Sequence, residues 1–177
     1  EVIKLIQNFS DKVDFFYINS FILESKYIFA QPQPFNTNYL PDDMKTFSKN
    51  TISGEIQFID LISPRISFDF LGGMYLAVFK REKWLMNTAC LNSYERNDTK
   101  IFSYFGNTFP HLKVFANAFA ESRAYFYAQA LSVTLSGERE WAPMYPLVRS
   151  IRLIEALDEF KKNGLSTINY IYCKNYA

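Results

Sequence analysis

The chain has 177 residues, of which 49% are apolar, and carries 19 basic and 18 acidic side chains. This length and composition are typical of one folded domain with a real core and exclude a disordered chain. The net charge of +1 gives no excess of either sign, so we expect no nucleic-acid partner and no membrane binding driven by bulk charge.

The spacing of the cysteines and the hydropathy further restrict the class of protein. Cys90 and Cys173 lie far apart without Cys-x-x-Cys spacing, so we expect neither a disulfide framework nor a zinc site, and a reducing cytoplasmic setting fits best. No apolar run approaches the roughly 18–20 residues that span a bilayer. The first residue is Glu1 rather than Met, and we therefore expect the chain to be a piece of a longer protein.

The amino-terminal part predicts an αβ unit. Apolar side chains at helical spacing predict a helix over residues 2–9, and the β-branched and aromatic residues 13–22 predict a buried strand. Residues 26–30 predict a second short strand. A short helix followed at once by such a strand favours an α/β layer architecture.

A long loop is predicted next, over residues 31–53, which contain three prolines. Irregular segments longer than about 12–15 residues are often lids or binding loops. Asp42 and Asp43 in this loop are either paired metal-binding carboxylates or, alternatively, a solvated turn or a helix cap before residues 44–47.

The middle of the chain predicts a helix from residue 54 up to the residue before Pro64, a buried strand over residues 74–79 and a short helix over residues 81–87 with Trp84 and Leu85 facing inward. Gly72 and Gly73 precede the strand. Glycines at such a position allow a bulge or a close approach of the backbone to a ligand.

The only histidine, His111, follows a proline that suits the first turn of a helix. Thr108 is the predicted N-cap, and apolar residues at helical spacing continue the helix to Phe119. His111 is therefore predicted in a first helical turn, within reach of a ligand or a metal. The alternative is that the aromatic surroundings pack it. Residues 124–131 predict a strand.

The carboxyl-terminal part predicts a loop over residues 136–146 and a long amphipathic helix over residues 147–162 that Gly164 ends. Residues 168–176 predict a short helix or an edge element. The sequence contains no Gly-x-Gly-x-x-Gly, no Walker loop and no Gly-x-Ser-x-Gly, so no complete catalytic constellation is visible.

Two stretches resemble a known family. Residues 68–85 read Phe-Asp-Phe-Leu-Gly-Gly-Met-Tyr-Leu-Ala-Val-Phe-Lys-Arg-Glu-Lys-Trp-Leu, and residues 104–119 begin Tyr-Phe-Gly-Asn-Thr-Phe-Pro-His-Leu. This order resembles the carboxyl-terminal half of family 2 glycosyltransferases with the GT-A fold, in particular abequosyltransferase-like bacterial enzymes of lipopolysaccharide and other surface polysaccharide synthesis. The resemblance implies that residues 1–177 are one domain with a partial GT-A-like α/β fold: a mixed sheet flanked by helices, with the long amphipathic helix near the end.

The activity that the resemblance implies is transfer of a sugar from a nucleotide-diphosphate donor to a saccharide or lipid-linked acceptor. Such an enzyme would lie in the cytoplasm, either free or bound peripherally to the inner face of the membrane. The family's Asp-x-Asp motif and its divalent cation, Mg²⁺ or Mn²⁺, belong to the amino-terminal half. We therefore expect an acceptor-side piece that is inactive alone, and an edge left by the absent half would favour self-association into a homo-oligomer.

The resemblance also implies roles for individual residues. Asp69 is the candidate general base, and Gly72 and Gly73 approach the substrate. In the loop over residues 136–146, which would close over the donor, Arg139 would steady the diphosphate with its planar fork and Trp141 would stack on a sugar ring.

His111 would complete the hard ligand set of the cation. Alternatively, Arg139 is a surface charge between two glutamates, and Trp141 anchors the loop.

A second function class stays open, a non-catalytic binding or assembly module with an aromatic-rich interaction surface. The sequence has 18 Phe, 12 Tyr and 2 Trp, which is high even for a core. A transferase half would bring His111, Asp69, Gly73 and Arg139 to one cleft. A module would bury His111 and display an apolar patch.

Overall fold

The computed structural model describes most of the chain. The described residues are 1–24, 27, 41–66, 73, 76–92, 97, 102–136 and 142–176. The predicted strand over residues 26–30 lies, apart from Tyr27, outside this set, as do the first ten residues of the predicted loop 31–53.

The described residues form seven α-helices and five strands. The helices are α1 (Val2–Phe9), α2 (Arg81–Asn87), α3 (Phe105–Thr108), α4 (Pro110–Phe119), α5 (Tyr145–Leu147), α6 (Leu153–Lys162) and α7 (Thr167–Tyr176). The strands are β1 (Phe15–Glu24), β2 (Lys45–Thr46), β3 (Gly54–Gln57), β4 (Ala77–Phe79) and β5 (Arg123–Ser136). None of the described helices combines the length and the apolar character needed to cross a bilayer.

One curled mixed sheet organises the molecule, with β1 at its centre. β1 runs parallel to β5, which in turn pairs antiparallel with β3. On its other side β1 pairs antiparallel with β4 through Phe15–Tyr17 and with β2 through Phe21 and Ile22. The predicted α/β class with a mixed sheet is therefore confirmed.

Helices cover both faces of the sheet. Phe15 and Tyr17 join the larger core with residues of α4 and α6, whereas Phe16 and Ile18 pack with Leu5 of α1 on the opposite face. Because β1 is buried on both faces, it is apolar almost without alternation, as strands inside layered α/β proteins are. The predicted helix over residues 2–9 and the predicted strand are confirmed.

Aromatic rings fill the larger core. Phe15 meets Phe58, Phe115 and Phe119 edge to face, with ring centroids 4.9, 5.1 and 5.3 Å apart. Such contacts add to the free energy gained by burying the rings. This part of the aromatic content is core and not an interaction surface.

The helix predicted over residues 54–63 is wrong. The segment begins with β3, in which the half-buried Gly54 and Ile56 alternate with the exposed Glu55 and Gln57, and continues as a 3₁₀-helix over Phe58–Leu61. Pairing with β5 and the bond from Phe58 N–H to the Ser122 carbonyl, 2.9 Å long, hold this extended path. These partners lie far away in sequence, so a local pattern does not reveal them.

Two details around α2 and α4 also differ from the prediction. Thr108 is the last residue of α3 and its hydroxyl donates to the Tyr104 carbonyl at 2.8 Å, so it does not cap α4; Phe109 occupies that position. Leu85 of α2 is 49% exposed, although Trp84 packs on the ring of Phe79 as predicted.

The long helix predicted over residues 147–162 is confirmed with a modification. α5 starts at Tyr145, inside the predicted closing loop 136–146, and a π-helical segment, Val148–Arg152, joins it to α6. Gly164 ends the helix with φ +104°, and the Leu165 N–H donates to the Phe160 carbonyl at 3.0 Å. This is the glycine-dependent stop that the sequence predicts. Residues 137–141 of the loop lie outside the described residues.

Phe102 has a backbone conformation that large side chains rarely adopt, with φ +79°. The guanidinium of Arg152 holds this turn. Its Nε donates to the Phe102 carbonyl at 2.9 Å, its Nη2 to the Ser103 carbonyl at 2.6 Å, and its Nη1 to Glu155. The planar fork of arginine serves three acceptors at once.

Replacing Arg152 by lysine should therefore lower the free energy of unfolding by about 1–2 kcal/mol, because one ammonium cannot reach both carbonyls and Glu155. Urea denaturation measures the loss. Arg65→Lys is the control, since the exposed Arg65 lies over the Tyr172 ring at 5.3 Å and should lose less than about 0.5 kcal/mol. Equal losses in both variants would contradict this role of Arg152.

Candidate functional site

The residues that the sequence singled out are only partly described. Asp69, Gly72, Arg139 and Trp141 lie outside the described residues, so their predicted roles stay predictions. Gly73 is buried just before β4, and its carbonyl accepts a bond from the Leu76 N–H at 3.2 Å.

His111 lies in the first turn of α4, as predicted, with its ring packed between aromatic neighbours. The Phe109 and Phe115 rings approach it edge-on, each at a centroid distance of 6.0 Å. Its Nε2 atom is buried and has no hydrogen-bond partner among the described residues. Burial lowers the pKa of His111 to about 4, so the ring is neutral at pH 7. This environment is the packed alternative named above.

Acidic and metal-ligating groups are dispersed in the described part of the chain. No cluster of three or more His, Cys, Asp or Glu side chains occurs among the described residues. Asp42 and Asp43 are exposed in a turn before β2, which is the solvated alternative for this pair.

A polar groove lies where β1 and β5 lose their regular pairing, and we call it the Asn19 groove. Its volume is about 360 Å³. Polar side chains from β1, from the end of β2, from the segment after β2 (residues 47–53) and from β5 line it. The lining residues are Asn19, Thr46, Ser48, Lys49, Asn50, Thr51, Ser53, Tyr127, Ala128 and Gln129.

A bulge in β5 creates this groove. Ile18 lies opposite Tyr127 and Ser20 opposite Ser132, so the single β1 residue Asn19 faces the four β5 residues 128–131. A bulge leaves backbone groups without ladder partners and redirects side chains, which is one reason that bulges occur beside active sites.

The Asn19 side chain bonds to four backbone groups around the bulge. Its Nδ2 donates to the carbonyls of Ser48 and Ala128, both at 2.9 Å. Its Oδ1 accepts from the N–H groups of Ser48 at 2.9 Å and Ser20 at 3.0 Å. Asn19 is only 1% exposed, and four bonds fill the capacity of its amide. Asn19 therefore joins β1, β5 and the segment after β2.

Three further hydrogen bonds shape the rim of the groove. The Ser53 hydroxyl accepts from the Ala128 N–H at 2.9 Å, and the Thr46 hydroxyl donates to the Ser48 carbonyl at 2.7 Å. The Tyr127 hydroxyl donates to Gln129 Oε1 at 3.1 Å. The rim thus presents hydroxyl and amide groups, which both donate and accept hydrogen bonds, beside an aromatic ring.

A charged cluster lies by the amino-terminal ends of β1 and β5. The Asp14 carboxylate pairs with Lys80 at 2.8 Å and Lys83 at 2.5 Å, and Lys83 also donates to the Ser122 hydroxyl at 2.9 Å. Burial alone would raise the pKa of Asp14, but hydrogen bonds and charges of the two lysines outweigh it and lower that pKa. These ion pairs join the loop before β1 to the turn that leads into α2, which is a structural role.

Sequence reasoning missed Asn19. The signal was present, because Asn19 and Ser20 are polar residues inside the otherwise apolar run Phe-Phe-Tyr-Ile-Asn-Ser-Phe-Ile. A buried amide needs partners, so such a residue predicts a polar network or a bulge. The proposed binding loop 31–53 does contribute to the groove, through its residues 46–53.

Comparisons with known proteins add no family. No protein-family model matches the chain, and neither the curated proteins nor the solved structures give a match. The resemblance to glycosyltransferases therefore rests on the residues quoted for it.

Proposed function

We propose that the chain binds a saccharide in the Asn19 groove and serves as the acceptor-side part of a GT-A-type glycosyltransferase. The observation that carries this proposal is the groove itself, a cavity of about 360 Å³ with a hydroxyl- and amide-rich lining on a buried amide network. Its alternative, an assembly module, is treated below.

The lining supports a polyhydroxyl ligand over an apolar one. Apart from Ala128 and the ring of Tyr127, the described lining residues carry hydroxyl, amide or ammonium groups. Sites for apolar small molecules have only a few such polar side chains. Sugar hydroxyls both donate and accept hydrogen bonds, and the Ser, Thr, Asn and Gln side chains of the rim do the same.

The fold is compatible with the transferase part of the proposal. A mixed sheet between helices is the architecture expected for a GT-A-like half, and β-bulges occur beside active sites. In this proposal Asp69 remains the candidate base, and Gly72, Gly73, Arg139 and Trp141 contact the donor side. The donor and its Mg²⁺ or Mn²⁺ stay with the amino-terminal half, and saccharide binding in the groove requires no cation.

The test is a titration of the ¹⁵N-labelled chain with methyl glycosides of glucose, galactose, mannose and rhamnose, followed by NMR. We expect millimolar binding of at least one glycoside, with shifts at the groove. Gln129→Ala should weaken this binding about fivefold, because one neutral hydrogen bond contributes about 1 kcal/mol.

Gln57→Ala is the matched control, since Gln57 is an exposed strand glutamine that does not line the groove. Its affinity should stay within twofold of the unmodified chain. No binding of any glycoside, or equal losses in the two variants, would contradict the proposed function.

A specific observation favours the alternative, a non-catalytic assembly module. Ile168, Ile171 and Tyr172 of α7 are 76%, 51% and 49% exposed and share one helix face. The packed environment of His111 fits this alternative too. Sedimentation velocity of the unmodified chain and of Ile171→Ser separates the two: self-association through this face of α7 should weaken in the variant, whereas self-association through a sheet edge should stay unchanged.

A further inference from the structure

We infer that the saccharide bound in the Asn19 groove carries one carboxylate, as a uronic acid does, and that Lys49 pairs with it. This inference rests on the proposed function of the groove. It names the class of saccharide, which the hydroxyl and amide groups of the lining do not define.

Charge is the first argument. Lys49 is the only charged residue among the described residues that line the groove. It is exposed, and no described carboxylate lies within ion-pair distance of it. An ammonium in a groove with no counter-charge among the described residues favours an anionic ligand group over a neutral one.

The backbone around Lys49 supplies the second argument. Asn19 binds both the N–H and the carbonyl of Ser48, and the Ser48 hydroxyl accepts from the Asn50 N–H at 3.2 Å. Hydrogen bonds therefore hold the backbone of both neighbours of Lys49, Ser48 and Asn50. A held backbone reduces the entropy lost when the side chain pairs with a ligand.

The amount of charge favours an acceptor sugar over a nucleotide donor. One ammonium balances one negative charge, whereas a diphosphate carries at least two and is usually bound with Mg²⁺. The described lining contains no carboxylate that could hold such a cation. A monocarboxylate sugar matches both the charge and the hydrogen-bonding groups of the groove.

The experiment compares sugars that differ only at one carbon. Methyl β-glucuronide and methyl β-glucoside form one pair, and methyl α-galacturonide and methyl α-galactoside form the second. For at least one pair we expect the acidic sugar to bind about fivefold more tightly, which corresponds to about 1 kcal/mol for a partly exposed ion pair. This preference should disappear in Lys49→Gln and in about 1 M NaCl, where charges are screened within about 3 Å.

Lys45→Gln is the matched control. Lys45 is an exposed lysine of β2 that lies in the wall of a neighbouring cavity and not in the groove, so this variant should keep the preference. Equal affinities within both pairs, or a preference that survives in Lys49→Gln, would overturn the inference and leave the proposed function standing. If neither member of any pair binds, the proposed function fails and the inference fails with it.

Discussion

Asn19→Ala is expected to lower the free energy of unfolding by about 3–5 kcal/mol, the largest effect of a single polar substitution that we predict. The alanine side chain replaces none of the four hydrogen bonds of the amide, so the Ser20 N–H, the Ser48 N–H and the Ala128 carbonyl each lose the bond that the amide makes. The Ser48 carbonyl keeps the bond from the Thr46 hydroxyl. Each buried backbone group left without a bond costs about 1–3 kcal/mol. Urea denaturation followed by far-UV circular dichroism measures the change.

Asn117→Ala makes the same substitution at an exposed position of α4. The Asn117 amide donates to the Lys113 carbonyl at 2.8 Å and to Glu159 at 3.0 Å, but water can take over both contacts. We expect a loss below about 1 kcal/mol there. A loss of the same size for Asn19→Ala would mean that the amide network does not hold the groove together.

The second large effect concerns pH. The free energy of unfolding should fall by about 3 kcal/mol between pH 6.5 and pH 4 on account of His111 alone. The pKa of His111 is lowered from 6.5 to about 4 in the folded state by burial, so in this range the unfolded chain binds a proton that the folded chain does not. The contribution of His111 to stability is therefore fully present above pH 6.5 and is lost as the pH falls toward 4. The size follows from about 1.4 kcal/mol for each unit of pKa difference.

His111→Phe isolates this contribution. Phenylalanine keeps an aromatic ring beside Phe109 and Phe115 and removes the titrating nitrogen, so the variant should lose much less stability between pH 6.5 and pH 4. Asp14 acts in a different window. Because its folded pKa lies below 3.8, its contribution is present above pH 3.8 and is lost only as the pH falls further. Parallel stability curves for the two proteins between pH 6.5 and pH 4 would contradict the prediction.

The same pair of proteins tests the expectation that His111 is a metal ligand. A ligand that binds only the folded state raises its stability. If His111 contributes to a Mg²⁺ or Mn²⁺ site, either cation should raise the urea midpoint of the unmodified chain at pH 7 and not that of His111→Phe. An equal rise in both would mean that the cation binds without His111. No rise in either is the result expected of a chain that needs the amino-terminal half to hold its cation, and the same comparison in the longer protein then decides the role of His111.

Several elements could be predicted from local patterns. The helix α1, the short helix α2 and the glycine stop after α6 each follow from a periodicity or from one residue's backbone preference. Such signals act over a few residues, and the tertiary structure here agrees with them. The position of His111 in a first helical turn likewise follows from Pro110, whose ring suits that turn.

Other features depend on partners far along the chain. Residues 54–57 form a strand because β5 offers an edge to pair with, and a local apolar pattern cannot include that edge. The low pKa of His111 follows from its burial against Phe115, not from its place in the helix.

Asn19 shows the difference most clearly. The sequence by itself determined that a polar residue sits inside an apolar strand. Only the tertiary structure decided its role, because the two carbonyls that its amide binds lie 29 and 109 positions away. The hydrogen bonds of a buried amide depend on which backbone groups the bulge leaves without partners, and that is known only once β1, β5 and the segment after β2 have come together.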